Sequence, residues 1–296
     1  MIKDTVVFSL FGTDEFRNTL CDALNYEAGK IMIHQFPDEE VMIKIDTDLR
    51  DKSIIFILST DRPNEKIMPL ILAVETAREL GANKIGLITP YLAYMRQDIQ
   101  FRSGEGISSK YFAKLLSTYF DWLITIDPHL HRWHSLNEVF TIDAKVLHAT
   151  DNIAHWLRNN VQNPLLIGPD MESTQWVSEI AKISQAPYLI VEKTRFGDAQ
   201  VSATVPQIEQ YPNHTPVLID DIISTGKTMI ETIKHIQTYG INNIICLAVH
   251  AVFAKNAYEE LKKTGVTDIV TCNTIAHPSN KIDMSNLLID AVKLKK

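Results

Sequence analysis

The residues of this chain best suited to chemistry stand at the ends of short apolar runs. In LIDDIISTGKT, Leu218 to Thr228, two adjacent acids and a turn of small residues lie between an apolar run and the helical stretch MIETIKHI. Its last three residues match the end of a Walker A loop, but Asp221 occupies the position, five before Gly226, where such a loop needs a glycine. A carboxylate there repels a triphosphate. The amides of a turn that opens a helix still converge on an anion. One phosphate on Ser224, Thr225, Gly226, Lys227 and Thr228, with hydroxyls donating to Asp220 and Asp221, describes a sugar phosphate. Alone, STGKT reads as an ordinary capped turn; the acid pair shifts the balance toward a site.

Three further strand ends carry polar clusters: PYLAYMRQD (Pro90 to Asp98), IDPHLH (Ile126 to His131) and IGPD (Ile167 to Asp170). In parallel α/β sheets, ligands bind beyond the carboxyl ends of the strands. Taken alone, Arg96, Gln97 and Asp98 read equally as a surface loop with a local ion pair. His129, His131 and His134 raise the question of zinc, but no cysteine or acid completes a ligand set at the usual spacing. Lys193 and Arg195, in VEKTRFGD, read alone as a solvated strand end.

The elements that must position these groups alternate along the chain. TVVF, SIIFILST, KIGLITPY and WLITID, then LLIGPD, YLIVEK, PVLIDD and NIICLAVH, read as buried strands. NEKIMPLILAVETAREL, MESTQWVSEIAKIS and KTMIETIKHIQTYG have helical spacing. The alternation predicts an α/β protein with mainly parallel sheets flanked by helices. IMIHQFPDEEVMIKI, two strand-like runs about a polar turn, predicts a flap hairpin over residues 31–45. The pattern restarts near Thr150, so domains 1–147 and 148–296 are expected, the last residues packing back on the first domain. The two halves resemble one another coarsely, without a residue-level repeat. A net charge of -7 argues against a broad nucleic-acid surface. Three scattered cysteines and no apolar run of membrane-spanning length point to a reducing cytoplasm.

LIDDIISTGKT resembles the ribose-phosphate loop shared by phosphoribosyltransferases and phosphoribosyl pyrophosphate (PRPP) synthetases. FPDEE, STDRPNEKIM, PYLAYMRQD, FRSGEGISSK, DPH, GPD and EKTR, in order and over nearly the whole chain, make the resemblance specific to the PRPP synthetases, or ribose-phosphate diphosphokinases. It implies two phosphoribosyltransferase-like, type I, Rossmann-like domains. The implied reaction transfers the diphosphoryl group of ATP to the 1-hydroxyl of ribose 5-phosphate, giving PRPP and AMP. Asp220 and Asp221 would hold the ribose hydroxyls, and Ser224 to Thr228 the 5-phosphate. ATP would lie between Arg96, Gln97 and Asp98 of one subunit and Phe36, Asp38 and Glu40 of a neighbour, which requires a homo-oligomer. His129 would help hold Mg-ATP, Asp170 would serve a second magnesium, and Lys193 and Arg195 would be the catalytic cations at the root of a mobile loop.

Some positions depart from the common family pattern. Glu39 replaces a usual glycine, Ser224 a usual acid, Met171-Glu172 a His-Gly pair, and LHRWHSLNEVF a run with glutamine and glycine. They leave three other readings to weigh: a non-catalytic regulatory homologue, a phosphoribosyltransferase that consumes PRPP, and a diphosphokinase for another ribose phosphate such as ADP-ribose.

Overall fold

Apolar β-branched runs that would be costly to leave in water form the inner strands of two parallel sheets. The computed structural model describes residues 4–130, 132–196 and 200–295; the side chains of residues 193–203 fall outside the description. Met1–Leu147 with Ser285–Lys296 forms one unit and His148–Met284 the other.

The first unit runs β1 (Thr5–Ser9), α1 (Asp14–Leu24), β2 (Glu27–Ala28), β3 (Ile31–Gln35), β4 (Val41–Ile45), β5 (Ser53–Ile57), α2 (Pro63–Glu79), β6 (Lys84–Thr89), α3 (Ser108–Tyr119), β7 (Trp122–Ile126) and β8 (Asp143–Leu147). Its sheet has the order β2-β1-β5-β6-β7-β8, with every pair parallel. Val6, Phe8, Ile54, Phe56, Ile85 and Leu87 are buried in its core. Strands covered on both faces read as continuous apolar runs rather than alternating ones. Gly86 is pressed against its cross-strand partner Trp122: a Cβ there would lie 2.0 Å from the indole ring.

β3 and β4 form the antiparallel hairpin expected at residues 31–45. Ile31, Ile33, Ile43 and Ile45 pack on the core while Met32, His34, Met42 and Lys44 are exposed, the period-two division of a half-covered ribbon.

The second unit runs α4 (Thr150–Asn160), β9 (Pro164–Gly168), α5 (Thr174–Ser184), β10 (Tyr188–Ile190), β11 (Glu192–Phe196), β12 (Gln200–Thr204), β13 (Thr215–Ile222), α6 (Lys227–Gln237), β14 (Ile245–His250), α7 (Ala257–Lys263), β15 (Asp268–Cys272) and β16 (Asn280–Ile282). Its parallel sheet has the order β10-β9-β13-β14-β15-β16. The terminal helix α8 (Ser285–Lys293) belongs to the first unit, where it lies against α1 and β8. Both sheets therefore follow one winding pattern. Each also carries an antiparallel hairpin, β3-β4 or β11-β12, between its second and third sheet strands in chain order.

Two expected elements come out divided. MESTQWVSEIAKIS is a 3-10 turn, Met171–Ser173, followed by α5. Asp170 Oδ1 accepts the Ser173 N–H at 3.3 Å and its carbonyl accepts the Ser173 hydroxyl at 2.6 Å, which tightens the first turn. YLIVEK is not one strand: β10 ends at Ile190, the Val191 N–H still donates to the Gly168 carbonyl at 2.9 Å, and β11 then leaves the sheet to pair with β12. Among the described residues, no helix is long and apolar enough to cross a membrane.

Candidate active site

In the second unit β9 pairs with β10 on one side and β13 on the other, so successive connections leave β9 in opposite directions. Such a switch point opens a crevice at the carboxyl ends of the strands. Asp170 follows β9, and Asp220 and Asp221 lie near the end of β13, so the topology brings three carboxylates to this edge. Burial, then the Asp221 carboxylate, and with a smaller contribution Asp170, push the Asp220 carboxyl well above the ordinary carboxylate range. The Asp221 N–H donates to Asp220 Oδ1 at 2.9 Å, which offsets part of that cost. A cluster in this state is relieved by hydroxyl donors or by a cation.

Beyond the acids, Ile223 to Gly226 turn the chain into α6. Gly226 has a φ of 67°, the left-handed region, and a Cβ there would meet Leu261 at 3.3 Å. No side chain caps α6. The amides of its first turn have no carbonyl one turn earlier to bond, and with the helix dipole they form an anion site. Thr225 and Lys227 are exposed, and Ser224, Gly226 and Thr228 half-buried.

The turn is fixed from behind by the segment after β14. The Ile223 N–H donates to the His250 carbonyl at 3.2 Å, the Phe253 N–H to the Ile223 carbonyl at 2.8 Å and the Ala254 N–H to the Ser224 carbonyl at 3.0 Å. His250 is fully buried, its Nδ1 2.9 Å from the Thr274 hydroxyl. Sequence reasoning missed this support; its one signal was a histidine closing the apolar run NIICLAVH.

Lys193 and Arg195 lie on β11, opposite Ala203 and Val201; their side chains are outside the described residues. His131 also lies outside them, and among the described residues no three His, Cys, Asp or Glu side chains gather to hold a metal.

In the first unit, Arg96, Gln97 and Asp98 follow β6, and His129 follows the neighbouring strand β7. Arg96 is exposed, Gln97 half-buried and its carbonyl accepts the Ser109 N–H at 3.2 Å. Asp98 is 2% exposed and accepts from Arg132 Nη1 at 2.9 Å. The Arg132 guanidinium lies 5.6 Å from the Phe101 ring centroid. Asp98 thus ties the loop after β6 to the one after β7. His129 is half-buried.

Phe36, Asp38 and Glu40 sit at the exposed tip of the β3-β4 hairpin. The tip is closed by Phe36 N–H to Glu40 carbonyl at 2.8 Å and Glu39 N–H to Phe36 carbonyl at 3.0 Å. The Phe36 ring is 4.7 Å from His34, edge to face. Glu39 has a φ of 70°, a conformation that glycine adopts without strain.

Known proteins match along both units. Residues 5–119 match the model of the N-terminal domain of ribose phosphate pyrophosphokinase, and residues 136–285 that of the phosphoribosyl transferase domain. The ribose-phosphate pyrophosphokinase of Saccharolobus solfataricus is 32% identical, covering 89% of this chain and 90% of that protein. That of Methanopyrus kandleri is 29% identical, covering 93% and 94%. The solved phosphoribosylpyrophosphate synthetase of Mycobacterium smegmatis shares the fold, with a TM-score of 0.85 over 99% of each chain at 21% identity. The chain belongs to the ribose-phosphate pyrophosphokinase family.

Proposed function

We propose that this protein transfers the diphosphoryl group of ATP to the 1-hydroxyl of ribose 5-phosphate, giving PRPP and AMP. The observation that carries the reading is the loop between β13 and α6. An uncapped helix start and a half-buried acid pair stand side by side there, matching a phosphate and a pair of hydroxyls on one small molecule.

In this reading the amides and hydroxyls of Ser224 to Thr228, with the Lys227 ammonium, hold the 5-phosphate. Asp220 and Asp221 accept from the ribose hydroxyls and set the sugar's orientation. The 1-hydroxyl oxygen bonds to the β-phosphorus of ATP and gives up its proton to solvent, the bond from that phosphorus to the α,β-bridging oxygen breaks, and AMP leaves with that oxygen. Such a transfer asks the protein mainly for positioning and charge neutralisation. Lys193 and Arg195 supply the neutralising cations. Phe36 covers adenine, Asp38 and Glu40 read its exocyclic amine, and Arg96 and Gln97 bind the phosphates, with Asp98 holding their loop in place. The flap residues act on the nucleotide of a neighbouring subunit, so the active form is a homo-oligomer, in the cytoplasm.

The acid cluster also fits magnesium, which takes hard oxygen ligands and needs only one or two carboxylates alongside substrate phosphates. Asp170 would hold one ion beside the acid pair, and His129 would contribute to holding Mg-ATP. When bound, magnesium neutralises the diphosphate charge.

The test is ATP and magnesium with a panel of acceptors, ribose 5-phosphate and ADP-ribose among them, monitored for AMP and the diphosphorylated product. AMP and PRPP form with ribose 5-phosphate. ADP as the product, or AMP with ADP-ribose alone, overturns the assignment.

A further inference from the structure

Two carbonyls of the β13-α6 turn accept from the backbone of residues 253 and 254, in a segment that departs twice from ordinary backbone conformation. Phe253 has a φ of 35° and Lys255 a φ of 57°. Both lie on the positive side, which side chains larger than glycine rarely adopt. A residue in that state keeps its conformation only where the surroundings over-determine it. Here three rings do so. The Phe253 ring lies 4.5 Å from that of His277 at an interplanar angle of 35°. Tyr258, in the first turn of α7, meets Phe253 edge to face at 5.2 Å and His277 edge to face at 4.6 Å. Each ring touches the other two.

The His277 ring is the fixed member of the trio. It projects from the connection between β15 and β16, where the Ser279 N–H donates to its Nδ1 at 3.2 Å. The Ser279 hydroxyl lies 2.8 Å from the same nitrogen and 2.8 Å from the Thr271 hydroxyl. The His277 N–H donates to Asn280 Oδ1 at 2.9 Å, and the Asn280 amide nitrogen in turn donates to the Thr271 hydroxyl and the Cys272 carbonyl, at 2.9 and 2.8 Å. Nδ1 accepts a backbone N–H, so the ring is neutral with its proton on Nε2. Its partial burial, which lowers its pKa, favours the same state. The ring is therefore anchored to the end of β15 independently of the turn that it supports.

We infer that His277 is a positioning residue for the phosphate-binding turn: packed against Phe253 and Tyr258, it fixes the two backbone N–H groups that hold the Ile223 and Ser224 carbonyls. The inference rests on the proposal that this turn binds ribose 5-phosphate. No atom of His277 is assigned to the substrate. Its effect passes through Phe253 N–H to Ile223 and Ala254 N–H to Ser224, the residues that lead into the turn. Amides aimed at a phosphate are worth most when they are already in place before it arrives.

The test separates the ring from its hydrogen bond. His277→Asn keeps a side-chain acceptor for the Ser279 N–H and removes the ring; His277→Phe keeps a ring and removes the acceptor. Amide hydrogen exchange of residues 222–226 and 253–255 is measured without substrate, and KM and kcat for both substrates are measured separately. For His277→Asn, exchange accelerates in both segments and KM for ribose 5-phosphate rises about tenfold, a loosened site rather than a lost one. KM for ATP and kcat stay within about twofold of the wild type. His277→Phe, which keeps a ring but loses its anchor, falls between the wild type and His277→Asn in exchange and in KM. Unchanged exchange in His277→Asn overturns the inference, as does an equal rise of both KM values or a His277→Phe as impaired as His277→Asn. Should His277→Asn fail to fold, Tyr258→Leu, which removes another ring of the trio, gives the same contrast. A wild type that makes no PRPP would refute the proposed function, while the exchange pattern would still decide whether His277 positions the turn.

Discussion

The two units use the same loop position in opposite ways. In each sheet the third strand in the winding pattern, β5 or β13, is followed by a turn and a helix that begins at the carboxyl edge. After β5 the position is filled from within. The Lys66 ammonium donates to the Ser59 carbonyl at 2.9 Å and to Asp61 Oδ1 at 2.6 Å, and Pro63 opens α2 without an N–H. Thr60 is bound as well, its hydroxyl donating to the Tyr91 carbonyl at 2.8 Å and accepting the Ala93 N–H at 2.8 Å. After β13 the corresponding turn has a glycine at a φ of 67° and two adjacent acids, and α6, like α2, opens without a capping side chain. One winding pattern thus supplies a helix start that lacks an amide at Pro63 in the first unit and one with every first-turn amide present in the second. Only the second presents a full first turn of amides to a phosphate.

The sharpest way to break this contrast is Asp221→Ala. Two charge-assisted hydrogen bonds to ribose are each worth about 1.5–3 kcal/mol, so kcat/KM for ribose 5-phosphate falls by about a hundredfold or more. Steady-state kinetics checks this; a fall below tenfold would mean that the acids do not hold the sugar.

Next in size is Lys66→Met. It leaves Asp61 facing the turn without its ammonium partner. Breaking a fully buried pair costs about 3–5 kcal/mol; here Asp61 is 20% exposed at its side chain, and about 2–3 kcal/mol is expected after solvent screening. Denaturant unfolding measures it. Phosphate does not bind the altered turn, because Pro63 still withholds an amide; binding there would erase the distinction between the units.

Asp220→Asn has a smaller effect on stability, of opposite sign to its effect on function. The folded state raises the Asp220 pKa above its unfolded value, so the wild type is penalised once the pH exceeds the unfolded pKa, most fully above the folded one. The variant therefore melts higher at neutral pH, by about 2–4 °C for each kcal/mol relieved. That advantage shrinks as the pH falls toward the unfolded carboxylate pKa. Thermal unfolding across pH 4 to 8 checks the sign, and a variant less stable at neutral pH would show that Asp220 is not held against repulsion.

Smallest is Glu39→Gly at the hairpin tip. It removes about 1–2 kcal/mol of left-handed strain and returns about 0.4–1 kcal/mol as unfolded-chain entropy. A net gain of about 0–1.6 kcal/mol follows, measurable by unfolding. The glycine that the family resemblance leads one to expect at this position would avoid this strain.

Much of the fold was legible because its inner strands are apolar on both faces, as in SIIFILST and NIICLAVH, and because the hairpin tip announces itself in PDEE. The short or polar edge strands were not. β2 has two residues, β16 reads NKI, and β8 carries Asp143 and Lys145; such strands are defined by neighbours rather than by their own side chains. β11 and β12 escaped for the same reason, since EKTRF and QVSAT show little of the apolar alternation of a covered strand. In the site, residue type and order revealed the acid pair and the turn. The backing could not be read, because Phe253 and His277 are 24 positions apart in sequence and meet only once β14, β15 and β16 are laid side by side. Asp98 was legible as a polar group at a strand end but not as a buried anchor for Arg132.

The proposed function divides the labour: the turn between β13 and α6 takes the ribose phosphate, and the first unit and the flap take ATP. Calorimetric titration of ribose 5-phosphate and of a non-hydrolysable ATP analogue with magnesium into the wild type, Asp221→Ala and Arg96→Ala tests it most directly. The account predicts that Asp221→Ala loses the sugar phosphate and keeps the nucleotide, while Arg96→Ala does the reverse. Equal loss of both ligands in either variant, or loss of the nucleotide in Asp221→Ala, would contradict it.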